Sequence, residues 1–296
     1  MFVIASLRVL KSWLRRHPRL RRTANLAYGA VRLDLVVRRL FAERVRRSCY
    51  AEYEAGARIV RVSIGGVDCR FHAFSAKNYW HLSTGSGGEY GFAAVLMALV
   101  QEGDVVFDLG GGVGMWTVPL AKKVGAAGRV FAFEPDPTSF EALRRNLAEN
   151  GLLNVECFQA AISAQRGRVS FFLRPDKDTH SIFEATDAPS PTGRQDEILV
   201  DAYSLDYLIE TEGLPIPKFM KIDIEGAELV AIEGGRKMIP RVGHTFVECH
   251  WALKLQGHED FVEAVEGSFR GIGMTQIRKL SWHHLLVTSD GNPEQD

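Results

Sequence analysis

Cysteine is scarce: Cys49, Cys69, Cys157 and Cys249 are the four in 296 residues, and none forms a Cys-x-x-Cys pair. That excludes a disulfide framework and a structural zinc knot, and leaves reduced thiols of a cytoplasmic protein as the expectation. No stretch of 18 apolar residues exists, so no spanning helix is expected. A secretory signal has its basic residues first. Here the amino terminus opens apolar and then turns basic, the reverse order, and no signal is expected. Net charge is also absent, with 36 basic and 36 acidic residues, but the balance hides an asymmetry. Residues 1–48 carry 13 Lys/Arg against 2 Asp/Glu, a net of +11, and the rest of the chain carries −11.

What is present is organised around residues 105–114, Val-Val-Phe-Asp-Leu-Gly-Gly-Gly-Val-Gly. Val105 to Leu109 reads as a buried parallel strand, and a helical pattern follows from Val113 to Val124. A strand, a glycine turn and a helix start form the ligand-binding corner of a doubly wound α/β fold. Two ligand classes use such a corner, dinucleotides and S-adenosylmethionine. The dinucleotide fingerprint G-x-G-x-x-G/A fails in both registers, because Met115 or Thr117 stands where its third small residue belongs. No Lys-Ser/Thr follows the glycines, which excludes a phosphate-cradling P-loop. What remains is Asp108 followed by Gly110, Gly111, Gly112 and Gly114. The next strand, Arg129–Phe133, ends at Glu134-Pro135, where a carboxylate suits the two hydroxyls of a ribose.

Four segments together resemble the FkbM-type methyltransferases: FDLGGGVG, FAFEPDP, FMKIDIEGAE and FVECH, in that order over roughly residues 85–255. The family's first motif usually reads D-x-G-A-N-x-G, so Gly111 and Gly112 replace an Ala and an Asn. The resemblance implies a Rossmann-like class I methyltransferase, with a mostly parallel seven-stranded sheet and helices on both faces. It implies S-adenosylmethionine as cofactor and a hydroxyl on a sugar, glycan or secondary metabolite as acceptor. Cofactor contacts are then expected from Asp108, Gly110, Gly111, Gly112, Gly114, Glu134 and Pro135. Gln159, Ala160 and Ala161 at the third strand's end are expected near the adenine. Glu89, in a loop before the first sheet strand, is a further candidate.

Residues 1–57 are expected to form a basic, helical, amphipathic extension. Val3, Leu7, Leu10 and Leu14 recur at helical spacing, with arginines between. Such an arm can pack on the main domain or lie in a membrane interface, giving a peripheral contact through residues 1–48. It lacks a recognised nucleic-acid module, so nucleic acid is not the expected partner. The catalytic domain is expected over 58–288. A hairpin over 58–75 turns at Gly65-Gly66, a polar insertion covers 175–196, and residues 289–296 fray. Later strands are expected over 218–226, 244–250, 274–280 and 282–287.

Strand ends in an open α/β sheet face the ligand. They carry Asp108, Glu134, Asp223, Glu225, Glu248 and His250, with Lys221 alternating onto the same side as Asp223. A His with an ordinary pKa near ~6.5 suits removal of a hydroxyl proton, so His250 is the first candidate base. Asp223 is the second. Glu225 or Glu248 orients the imidazole, and Lys221 neutralises the carboxylates or steadies an alkoxide. Asp223, Glu225, Glu248 and His250 could supply a hard divalent metal site, but no spacing requires one. Alternatives are an N- or RNA-directed methyltransferase, and a non-catalytic cofactor-binding module recruited through the arm.

Overall fold

The computed structural model describes residues 42–85, 90–173, 196–250 and 258–289. The expectations for most of the arm, for Glu89, for most of the 175–196 insertion and for the 290–296 tail lie outside them.

The chain divides into two compact units, Met1–Arg58 with Phe74–Trp80, and Ile59–Ala73 with His81–Asp296. Segment 74–80 joins the first unit, apart from the chain on either side of it. Tyr79 explains this: its hydroxyl donates to Glu52 at 3.0 Å and its ring sits 6.2 Å from that of Tyr53. In that unit, residues 42–54 form helix α1.

The second unit opens with the expected hairpin, β1 (Ile59–Ile64) antiparallel to β2 (Val67–His72) across Gly65-Gly66. Its main sheet has seven strands. They are β3 (Val105–Leu109), β4 (Arg129–Phe133), β5 (Val155–Phe158), β9 (Phe219–Ile222), β10 (His244–Glu248), β11 (Gln276–Lys279) and β12 (His284–Thr288). Their order is β11-β12-β10-β9-β3-β4-β5, with β12 running antiparallel to the other six. The order reverses between β3 and β9, so the ligand crevice of such a sheet lies at those two strands' carboxyl ends. Phe107, Phe131, Phe133, Met220, Ile222 and Val247 lie in the main core. Both faces are covered, so the central strands are apolar runs without alternation.

Beside α2 (Ala76–Thr84), α3 (Tyr90–Leu99) and α6 (Leu205–Glu210), the helices that matter to the site are α4 (Thr117–Val124), α5 (Pro137–Glu149) and α7 (Glu228–Gly234). Sequence placed α4 from Val113; residues 113–116 are turn instead, because Gly112 and Gly114 both hold positive φ. Asp136 caps α5, accepting from Thr138 N at 3.2 Å, Ser139 N at 3.0 Å and Ser139 Oγ at 2.7 Å. Asp136→Ala is therefore expected to cost about 1–2 kcal/mol. Chemical denaturation would show this as a lower midpoint at unchanged slope.

A small second sheet, of β6 (Ala161–Ile162), β7 (Gly167–Leu173) and β8 (Asp196–Tyr203), stands apart in the order β6-β8-β7. β7 and β8 pair with each other, flanking the 175–196 insertion.

Candidate active site

The glycine turn after β3 is shaped by how closely β9 approaches it. A Cβ on Gly110, at φ +83°, would lie 1.8 Å from the Asp223 carbonyl oxygen. Only glycine permits that crossing. The amides of Gly110 and Gly111 both donate to the Phe133 carbonyl at 2.9 Å, which fixes the turn to the end of β4. A Cβ on Gly114 would press Leu143 of α5 at 2.9 Å. Gly112 differs: among the described residues nothing lies within 4 Å of the Cβ position, which leaves open space over it. Buried Asn146 clamps the loop, donating to Val113 O and accepting from His72 N, each at 2.7 Å.

Asp108 and Lys221 are buried beneath this turn, at 0% and 1% exposure. Asp108 accepts from Thr117 Oγ1 at 2.6 Å and pairs with Lys221 at 3.3 Å. Lys221 also reaches Asp223 Oδ2 at 2.9 Å and the Gly110 carbonyl at 3.3 Å. Burial disfavours the ammonium, but Asp223 and Asp108 outweigh it and hold its pKa above the ordinary range. Sequence offered Lys221 as a group that neutralises the carboxylates or steadies an alkoxide. The structure encloses its ammonium between Asp108, Asp223 and the Gly110 carbonyl. Asp108, likewise, presents its carboxylate to Thr117 and Lys221 and supports the turn from below.

Glu134 is the acidic group that meets the glycines. Its Oε2 accepts from Gly112 N at 2.7 Å and its Oε1 from Asp136 N at 2.8 Å. Burial raises its pKa to about 7, against the pull of those two amides. Pro135 follows it, half-buried. Gln159 is exposed just past β5, whereas Ala160 and Ala161 are buried.

The second cluster forms where β9 and β10 end. Sequence put Asp223 and Glu225 on one side by extending the strand, but β9 stops at Ile222. Glu225 instead takes φ +53°, the only positive φ outside glycine among the described residues, and the chain turns at Gly226. That strained turn still delivers Glu225 to His250. The imidazole of His250 lies 3.3 Å from Glu228, 3.4 Å from Glu248, 3.6 Å from Asp223 and 3.9 Å from Glu225. Burial favours the neutral ring, but the surrounding carboxylates, Glu228 and Glu248 foremost, hold its pKa well above the ordinary value. That direction favours the charged ring and counts against His250 as the group that takes the acceptor's proton. Glu225 is pushed to about 7 by burial, with His250 pulling against it.

Three residues of this cluster escaped the sequence reading. Glu228 is fully buried, holds Gly226 N at 3.2 Å, and keeps one oxygen without a hydrogen-bond partner among the described residues. Its signal was the spacing of three acids in Asp-Ile-Glu-Gly-Ala-Glu. His283 and His284 lie 3.6 and 3.4 Å from Glu248. Glu248 is half-buried, and that burial raises its pKa, yet the imidazoles of His250 and His284 outweigh it and hold the pKa below the carboxylate range.

The sheet order, the glycine turn at the reversal point and the acidic β4 end define a Rossmann-like class I methyltransferase fold. The model of the methyltransferase FkbM domain matches residues 108–266. The chain belongs to the FkbM methyltransferase family. Among its relatives is the hexuronic acid methyltransferase AglP of Haloferax volcanii, 26% identical over 189 residues, which are 63% of this chain and 72% of that protein. Methyltransferase 1 of Beauveria bassiana is 26% identical over 47% of this chain and 61% of its own length. The crystal structure of the methyltransferase FkbM from Methylobacillus flagellatus aligns with 83% of this chain and 58% of that one, at 14% identity and a TM-score of 0.41.

Proposed function

We propose that this chain transfers a methyl group from S-adenosylmethionine to a hydroxyl of a sugar or glycan. The observation that carries the cofactor is Glu134, a buried carboxylate at the β4 end, 2.7 Å from Gly112 N beside open space. Glu134 would hold the ribose hydroxyls, and the bare backbone of Gly110–Gly114 lets a nucleoside lie against it. Bound there, S-adenosylmethionine supplies an activated methyl carbon, so the protein has mainly to align the acceptor and take its proton. Glu225, with a pKa near 7 and 29% of its side chain exposed, is placed to take that proton. Asp223, steadied by Lys221, is placed to orient the hydroxyl. His250 fixes Asp223 and Glu225 relative to each other. Kinship with a hexuronic acid methyltransferase supports a sugar as acceptor.

Calorimetry with S-adenosylmethionine and NADH tests the cofactor. Transfer of labelled methyl to glucuronate-bearing and neutral sugars tests the acceptor. Saturable binding of S-adenosylmethionine alone, with label on a sugar, is the expected result. A folded chain that binds neither ligand overturns the reading, and label found on RNA or an amine overturns the acceptor.

A further inference from the structure

We infer that Glu248, His283 and His284 form a binding site for a divalent cation of the zinc class. The register of the sheet brings them together. Glu248 and His284 are direct antiparallel partners across β10 and β12, which places their side chains on one face. His283 immediately precedes, and its carbonyl accepts from Cys249 N at 2.8 Å, so the turn before β12 is tied to the chain just beyond β10.

The distances are those of ligands sharing an ion. Glu248 Oε1 lies 3.6 Å from His283 Nε2, and Oε2 lies 3.4 Å from His284 Nε2. All three residues offer ligand atoms within 4.8 Å of one another. Ligand atoms about 2.0–2.1 Å from a tetrahedral ion stand about 3.4 Å apart. A charge-assisted hydrogen bond would draw nitrogen and oxygen to about 2.7–2.9 Å. Ion pairs elsewhere in the molecule run from 2.7 Å for Arg70–Glu149 to 3.8 Å for Arg144–Glu141, so the inference stands on the ligand set and its outer shell as well as on these distances.

The outer shell is also that of a metal site. Ser281 Oγ lies 2.7 Å from His284 Nδ1 and 3.5 Å from His283 Nδ1, which aims both Nε2 atoms toward Glu248. The His284 ring packs 4.4 Å from Phe92 and 5.4 Å from Phe246 by centroid, so its surroundings are apolar. Two imidazoles and one carboxylate suit zinc better than magnesium or calcium. The neighbouring group of Asp223, Glu225 and His250 is less suited. His250 faces Asp223 through Nδ1 and Glu225 through Nε2, so one lone pair cannot serve both. The site is independent of the methyl-donor reading. Its cation ties the turn before β12 to the end of β10, beside the groups proposed to meet the acceptor.

The test uses the full chain, freed of any tag and stripped with a chelator. Co²⁺ added to it is expected to bind one to one with the visible absorption of a tetrahedral site, and Zn²⁺ to displace it. Zn²⁺ should raise the thermal midpoint and Mg²⁺ should not. Glu248→Gln and His283→Ala should each weaken Co²⁺ binding at least tenfold. His283 is the variant of choice because it is less buried than His284. A folded wild-type chain that binds no Co²⁺ overturns the inference, as does binding unchanged in both variants. An equal response to Mg²⁺ overturns the zinc class.

Discussion

Lys221→Met is expected to lower the unfolding free energy by about 3–5 kcal/mol, the usual cost of removing one partner from a buried ion pair. The reasoning rests on what is left behind. Asp108 has no exposure, and without the ammonium its charge is held, among the described residues, by Thr117 Oγ1 alone. Asp223 loses its 2.9 Å partner, and the Gly110 carbonyl loses its donor at 3.3 Å. Against a total of about 5–15 kcal/mol for a domain, that is a large share, worth roughly 6–20 °C in the thermal midpoint. The double variant Asp108→Asn with Lys221→Met should recover part of the loss, since the stranded charge is gone. Thermal and chemical denaturation of both would check this. A single variant within 1 kcal/mol of the parent would mean that the ammonium is not holding the turn.

That pair shows why part of the site was legible and part was not. Strands, the glycine turn and Glu134 could be read because each is local: apolar runs, positive-φ glycines and a carboxylate one residue past a strand. The roles of Lys221 and His250 depend on neighbours up to 113 residues away. Alternation placed Lys221 on the right face but could not say that Asp108 and Asp223 would enclose it. An isolated His250 titrates near ~6.5. In the fold, four carboxylates from the β9 exit, α7 and β10 surround it and raise its pKa. His283 and His284 read as part of a closing strand. Their meeting with Glu248 is set by the β10–β12 register, which turn geometry and packing decide and a single sequence does not display.

Glu134 gives the second large effect, and it is a binding effect with a pH signature. Two ribose hydroxyls donating to a buried carboxylate are charge-assisted bonds of about 1.5–3 kcal/mol each, so Glu134→Ala should weaken S-adenosylmethionine binding by about two orders of magnitude or more. The sign of the pH dependence follows from the raised pKa. In the folded chain Glu134 titrates at about 7 rather than its ordinary 4.5. Its contribution to stability is therefore full below about 4.5 and is lost as pH rises through about 7. Hydroxyl donors favour the anion and reverse that preference, so the ligand must bind the ionised form better. The ionised fraction climbs from about a tenth at pH 6 to about nine-tenths at pH 8, and affinity should rise about tenfold between them. Glu134→Gln keeps the shape without the titration and should bind weakly with this component of the pH dependence gone. Calorimetry of parent and Gln variant with the same ligand at both pH values separates this group from any titration of the ligand itself. Identical pH profiles in the two proteins would show that the carboxylate at the end of β4 is not what the nucleoside meets.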